Sequence, residues 1–122
     1  MKYPPIFQVA TGDPAVTALL GANPTRLYLF GLAPDNPAGT YCVWQVINGN
    51  PDNYLAGRPD VESHELQVDV YAATASEARA AGQALEYAIE LAASISGYNG
   101  ENKDPETGRY RYSFSVDWIV RR

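Results

Sequence analysis

Apolar and polar positions alternate most cleanly from Leu66 to Ala72. Leu66, Val68, Val70 and Ala72 take one face, and Gln67, Asp69 and Tyr71 take the other. A period of two predicts a strand with one buried side. The same pattern returns over a longer run from Arg109 to Val120. Tyr110, Tyr112, Phe114, Val116, Trp118 and Val120 point one way and Arg111, Ser113, Ser115 and Asp117 the other, with Ile119 as the apolar exception. At ~3.3 Å per residue such a strand spans about 40 Å, long for so small a domain. Its end is expected to project beyond its own core, where another subunit can pair with it. Tyr41 to Asn48 is apolar on both faces apart from Gln45, which predicts a strand covered on both sides. Thr25 to Phe30, rich in branched and aromatic residues, predicts a further strand.

Helical periodicity fills the remaining stretches. Thr74-Ala75-Ser76-Glu77 has the form of a capping box, and the helix it opens is predicted to run to about Ser94, near Gly97. Ala78, Ala81, Leu85, Ala88, Ile89 and Ala92 form its buried stripe; Arg79, Gln83, Glu86, Glu90 and Ser94 form its wet stripe. A stripe made mostly of alanine lets the helix lie close to a sheet. Upstream, Asp13 suits an N-cap, Pro14 the first helical position and Gly21 the stop, with Val16, Leu19 and Leu20 on one apolar side. Pro4 and Pro5 open one or two earlier turns through Val9, with Ile6 and Phe7 expected to face inward. A short strand near Tyr98 and the polar turn from Asn102 to Gly108 make a hairpin with the last strand. Gly31 to Thr40 and Gly49 to Pro59 read as loops.

These elements imply an α+β fold: a mainly antiparallel sheet with one long helix packed on one face and short N-terminal helices. There is no internal repeat and no dividing linker, so residues 1–122 are expected to form a single domain. An apolar content of 46 % supports a core without metal or disulfide staples. Fourteen acidic residues against nine basic ones give a net charge of −5, which argues against nucleic-acid binding as the main task. The longest apolar run is four residues, as in Leu27 to Phe30, too short for a membrane helix. Met1 to Pro5 is not followed by an apolar signal core, so a soluble, intracellular chain is expected.

Candidate chemistry is sparse. Asp60, Glu62 and His64 can share one face of an extended segment, with Glu65 beside them, and a carboxylate–imidazole set can bind a divalent ion. No second histidine or cysteine completes such a site, so a solvated loop leading into a strand is the favoured reading. Cys42 is the single cysteine, which excludes an internal disulfide; in an apolar strand it reads as a buried, inert thiol. There is no glycine-rich phosphate loop, and the arginines do not cluster beyond Arg109/Arg111 and Arg121/Arg122. No catalytic, metal or cofactor site is indicated.

An ordered set of short segments adds what this pattern does not. Pro5-Ile6-Phe7, Leu19-Leu20-Gly21 and Pro24-Thr25-Arg26-Leu27-Tyr28 are followed by Trp44-Gln45-Val46, Pro51-x-x-Tyr54-Leu55 and Arg58-Pro59-Asp60. Gln67-Val68-Asp69-Val70-Tyr71, the alanine-rich helix, Asp104-Pro105-Glu106-Thr107, Tyr110-Arg111-Tyr112-Ser113-Phe114 and Asp117-Trp118 complete the set. Together they resemble the tail completion, or tail terminator, proteins of tailed bacteriophages and prophages. That resemblance implies a structural virion protein, usually a hexameric ring, capping the head-proximal end of the tail tube and ending its growth. The implied partners are other copies of the chain, the tail tube protein and a neck or head–tail connector protein. The resemblance implies no catalysis, no cofactor and no membrane, with assembly in the host cytoplasm. A neck or head-completion protein is the alternative within this class; a small peptide- or ligand-binding module using the aromatic strand face is the alternative outside it. DNA is expected to pass through the ring without specific binding: six copies carry roughly −30, and phosphate binding needs clustered Lys and Arg. The subunit contact is expected at Tyr54, Leu55 and Arg58, since Tyr54 and Leu55 are apolar residues in a polar loop that a monomer would leave wet; a loop folded back on its own domain is the equal alternative.

Overall fold

The computed structural model describes residues 3–51 and 61–121. Five strands form one sheet: β1 (Leu27–Leu29), β2 (Tyr41–Pro51), β3 (Val61–Ala72), β4 (Ser94–Lys103) and β5 (Tyr110–Arg121). Their order is β1-β2-β3-β5-β4, with β1 parallel to β2 and every other pair antiparallel. Three helices, α1 (Ile6–Thr11), α2 (Pro14–Leu20) and α3 (Ala75–Ile89), pack together. The expected α+β architecture is the one observed. Among the described residues no helix is long and apolar enough to cross a membrane.

The core lies between the helices and one face of the sheet. Leu66, Val68, Val70 and Ala72 of β3 and Phe114, Val116, Trp118 and Val120 of β5 are buried there, as the period of two requires. Ala78, Ala81, Leu85, Ala88 and Ile89 of α3 meet them. At Gly82 the helix comes closest: a Cβ there would lie 2.3 Å from Cδ1 of Tyr112, so only glycine leaves room for the ring. The Thr74 hydroxyl accepts from the Glu77 amide at 3.2 Å, and the Asp13 carboxylate accepts from the Ala15 amide at 2.9 Å, so both expected N-caps are present.

Several boundaries differ from expectation. Helix α3 ends at Ile89 rather than Ser94. Its last turn tightens, with the amides of Ala92 and Ala93 both donating to the Ile89 carbonyl, and the chain enters β4 at Ser94. Pairing of eight β4 residues with β5 outweighs further helix, because it satisfies more backbone groups and packs Ile95 against the core. Ala92 is therefore exposed. In α1 the buried residues are Ile6 and Ala10, one turn apart, while Phe7 faces solvent; Leu19 of α2 is also exposed. Strand β2 is not covered on both sides. Among the described residues no helix packs on the second sheet face, and Val43 and Gln45 are half-buried there.

Glu86 departs furthest from the wet stripe. It is buried and accepts a 2.7 Å hydrogen bond from the Tyr112 hydroxyl. Burial raises its carboxyl above the ordinary range, the Tyr112 bond draws it partly back, and Glu90 adds to the rise. The folded chain therefore holds this proton more tightly than the unfolded chain. The stability Glu86 contributes is fullest below the ordinary glutamate pKa and is lost as pH rises through the raised value. Glu86→Gln keeps an acceptor for Tyr112 and removes the titration. Urea melts of the variant between about pH 4 and 7 are expected to show a shallower fall in stability than the wild type.

Candidate functional site

The candidate contact residues Tyr54, Leu55 and Arg58, together with Asp60, lie outside the described residues. The structure does define what flanks them. β2 runs to Pro51 rather than Asn48, and β3 begins at Val61 rather than Leu66; Pro51 stands opposite Glu62. The β-ladder thus takes Gly49 to Pro51 from the start of the expected polar loop and adds Val61 to Glu65 to the strand that follows it.

That extension also places two members of the acidic cluster, Glu62 and His64, within a strand. Glu62 and His64 are core-facing residues of β3, 4 % and 2 % exposed, with Nε2 of His64 3.2 Å from Oε2 of Glu62. The favoured solvated loop is thus incorrect, because the strand starts earlier and turns these two side chains inward. Glu65 is on the opposite face, an odd number of residues away. Among the described residues no three potential ligands come together for a metal ion. Cys42 is fully buried, and burial raises its thiol pKa far above the ordinary range, so the thiolate needed for nucleophilic chemistry is disfavoured.

Four arginines, Arg26, Arg79, Arg109 and Arg111, are engaged internally. Arg26 donates to the Thr40 and Leu19 carbonyls at 2.8 and 3.2 Å, which ties the end of α2 to the segment before β2. Arg109 donates to the Gly39 carbonyl at 2.7 Å and to that of Pro37, and stacks on Tyr41. Arg79 pairs with Glu101 at 2.6 Å, and Arg111 pairs with Asp69 at 2.9 Å. On the uncovered sheet face Asn99 donates to Ser113 and Ser115, and Tyr41 stacks on Tyr71 with ring centroids 5.1 Å apart. These contacts leave the face polar and internally bonded.

What remains open is an end of the sheet. β1 pairs with β2 only as far as Trp44, so Gln45 to Pro51 have no strand on that side among the described residues. On the other side β4 begins opposite Asp117, so Trp118 to Arg121 of β5 likewise have no strand beside them among the described residues. β2, β3 and β5 therefore continue together as a three-stranded arm. Beside its β2 edge is a cleft of about 660 Å³ lined by Tyr3, Pro4, Leu29, Phe30, Trp44 and Val46; beside its β5 edge is one of about 400 Å³, in which Tyr3 again takes part with Pro5, Trp118 and Ile119. Phe30 is 59 % exposed and Ile119 66 %. Sequence reading passed over Phe30 as an ordinary strand residue, although Phe30 and Leu32 on either side of Gly31 put more apolar surface at a strand end than a turn needs.

This end of the sheet presents exposed apolar and aromatic side chains, Phe30 and Ile119 among them. The tail completion protein gp17 family matches residues 4–121. Among solved structures, a chain described as "Virion of native gene transfer agent (GTA) particle" has the same fold, with a TM-score of 0.64 at 20 % identity over 96 % of this chain and 92 % of that one. Among curated proteins no relative matches the sequence. A match over nearly its whole length places this chain in the tail completion protein gp17 family.

Proposed function

We propose that this structural protein of phage tail assembly forms a ring, of six copies as the resemblance implies, on the head-proximal end of the tail tube. The ring ends tube growth and offers its other side to the neck or connector proteins, without catalysis or cofactor. The family match across residues 4–121 carries this reading. One feature of the molecule supports it: among the described residues, β2, β3 and β5 continue together past the ends of β1 and β4 as an arm with exposed Phe30 and Ile119 beside it. The occupied arginines suit a channel that DNA crosses without being held. Arg26, Arg79, Arg109 and Arg111 already serve carbonyls or carboxylates, which takes four of the nine basic residues out of phosphate binding.

Electron microscopy of the purified protein mixed with tubes assembled from its tail tube protein tests the reading. Rings seated at one end of each tube, with no further elongation on adding tube subunits, are expected. Decoration along the tube wall, or rings that bind connector complexes but never tube ends, would overturn it in favour of a wall or neck protein.

A further inference from the structure

At the end of the sheet opposite the arm, β4 turns into β5 through residues 104–109, and the segment 31–40 leads into β2. The turn is secured from within. The Asp104 carboxylate accepts from the Glu106 amide at 3.0 Å and from the Thr107 hydroxyl at 3.1 Å, and the Asp104 amide donates to the Arg109 carbonyl at 2.7 Å. The segment has no such internal frame. The Leu32 amide donates to the Leu29 carbonyl, but from Ala33 to Gly39 no amide or carbonyl makes a backbone–backbone hydrogen bond among the described residues. Between Gly31 and Thr40 only Pro37 is buried. A stretch with so few apolar contacts and no ladder belongs to the low-stability end of a domain unless something else holds it.

Two guanidinium groups hold it. Arg26 donates to the Thr40 carbonyl at 2.8 Å. Arg109 reaches across from the turn, about seventy residues away in sequence, and takes more of the segment. It donates to the Gly39 carbonyl at 2.7 Å, to the Pro37 carbonyl and to Oδ1 of Asn36 at 3.4 Å, and it lies over the Tyr41 ring, 5.1 Å from the centroid. Gly39 fits between the two arginines: it has φ +74°, and a Cβ there would stand 3.3 Å from Nη2 of Arg26. Hydrogen bonds from a charged donor are stronger than neutral ones, and the planar fork of arginine spans several acceptors at once.

We infer that Arg109 is a latch. It fastens residues 33–40 to the β4–β5 turn, and when its grip is lost that segment opens as a unit while the sheet and helices stay folded, whether or not copies assemble into a ring. The rigid turn supplies the fixed side of the latch and the unladdered segment the moving side. Arg109 acts through positioning alone: each of its partners is an acceptor that would otherwise have only water to bind.

Limited proteolysis of the full chain tests this. An endoprotease specific for aspartate cuts at Asp35 only when the segment is released, so the rate of that cut follows the open population. Asp69 in β3 and Asp117 in β5 report opening of the whole domain. In Arg109→Ala the cut at Asp35, located by mass spectrometry, is expected to speed up about tenfold or more relative to the cuts at Asp69 and Asp117. Arg109→Lys keeps the charge without the fork and is expected to fall between the wild type and Arg109→Ala. Arg79→Ala removes the exposed pair with Glu101 and is expected to leave the relative rate at Asp35 unchanged. A cut at Asp35 no faster in Arg109→Ala than in the wild type would overturn the latch, with Arg26 and Pro37 then sufficient to hold the segment. An equal acceleration at Asp35, Asp69 and Asp117 would overturn it too, since Arg109 would then support the domain as a whole.

Discussion

Phe114→Ala is expected to destabilise the protein by about 3–5 kcal/mol. Phe114 is fully buried in β5, opposite Val68 of β3 on one side and Tyr98 of β4 on the other. Its ring meets that of Tyr112 edge-on, with centroids 6.1 Å apart. The strand that carries it is hydrogen-bonded on both flanks, so the backbone cannot close on the space the ring vacates. The cost is then the lost transfer free energy together with the cavity that remains. Against a typical total of 5–15 kcal/mol this is a large share. Urea denaturation measures it. A loss under about 1 kcal/mol would mean that α3 settles into the gap and that the layer is softer than its packing indicates.

Leu85→Ala is expected to cost about 2–5 kcal/mol. Leu85 is the large residue at the middle of α3's inward stripe, where Ala78, Ala81 and Ala88 bring the helix close but contribute little volume. Truncation leaves a hole that none of those alanines can fill. Tyr87, two residues on and 74 % exposed, is the control: Tyr87→Ala is expected to change stability by no more than about 0.5 kcal/mol. Thermal melting of the two variants side by side reads the contrast. Equal melting temperatures would place the inward face of the helix elsewhere.

The legible parts of this fold are those set by local chemistry. Leu66 to Ala72 and Tyr112 to Val120 show their buried face because a strand sends alternate side chains to opposite sides, whatever it pairs with. Thr74 and Asp13 mark helix starts because each side chain accepts from an amide only two or three residues away. Gly21, with φ +89°, stops α2 for an equally local reason. The family too was readable, since the matching segments run in order through nearly the whole chain.

Other features depend on partners distant in sequence. Nothing near Ala92 ends α3; the edge of β5, more than twenty residues away, draws Ser94 into a strand. Glu86 looks like a solvent residue until Tyr112 supplies its hydrogen bond, and Glu62 and His64 look like loop residues until β2 and β5 extend β3 back to Val61. The arm was half visible. The length of β5 suggested an end projecting past its core, but β1 stopping at Leu29 and β4 starting at Ser94 are what let β2, β3 and β5 continue past them. The sequence by itself therefore determined which faces are buried, where helices begin and which family the chain resembles, because those follow from neighbours within a few residues. Only the tertiary structure decided where strands end and which edges stay open, because an edge is defined by the strand that does not reach it.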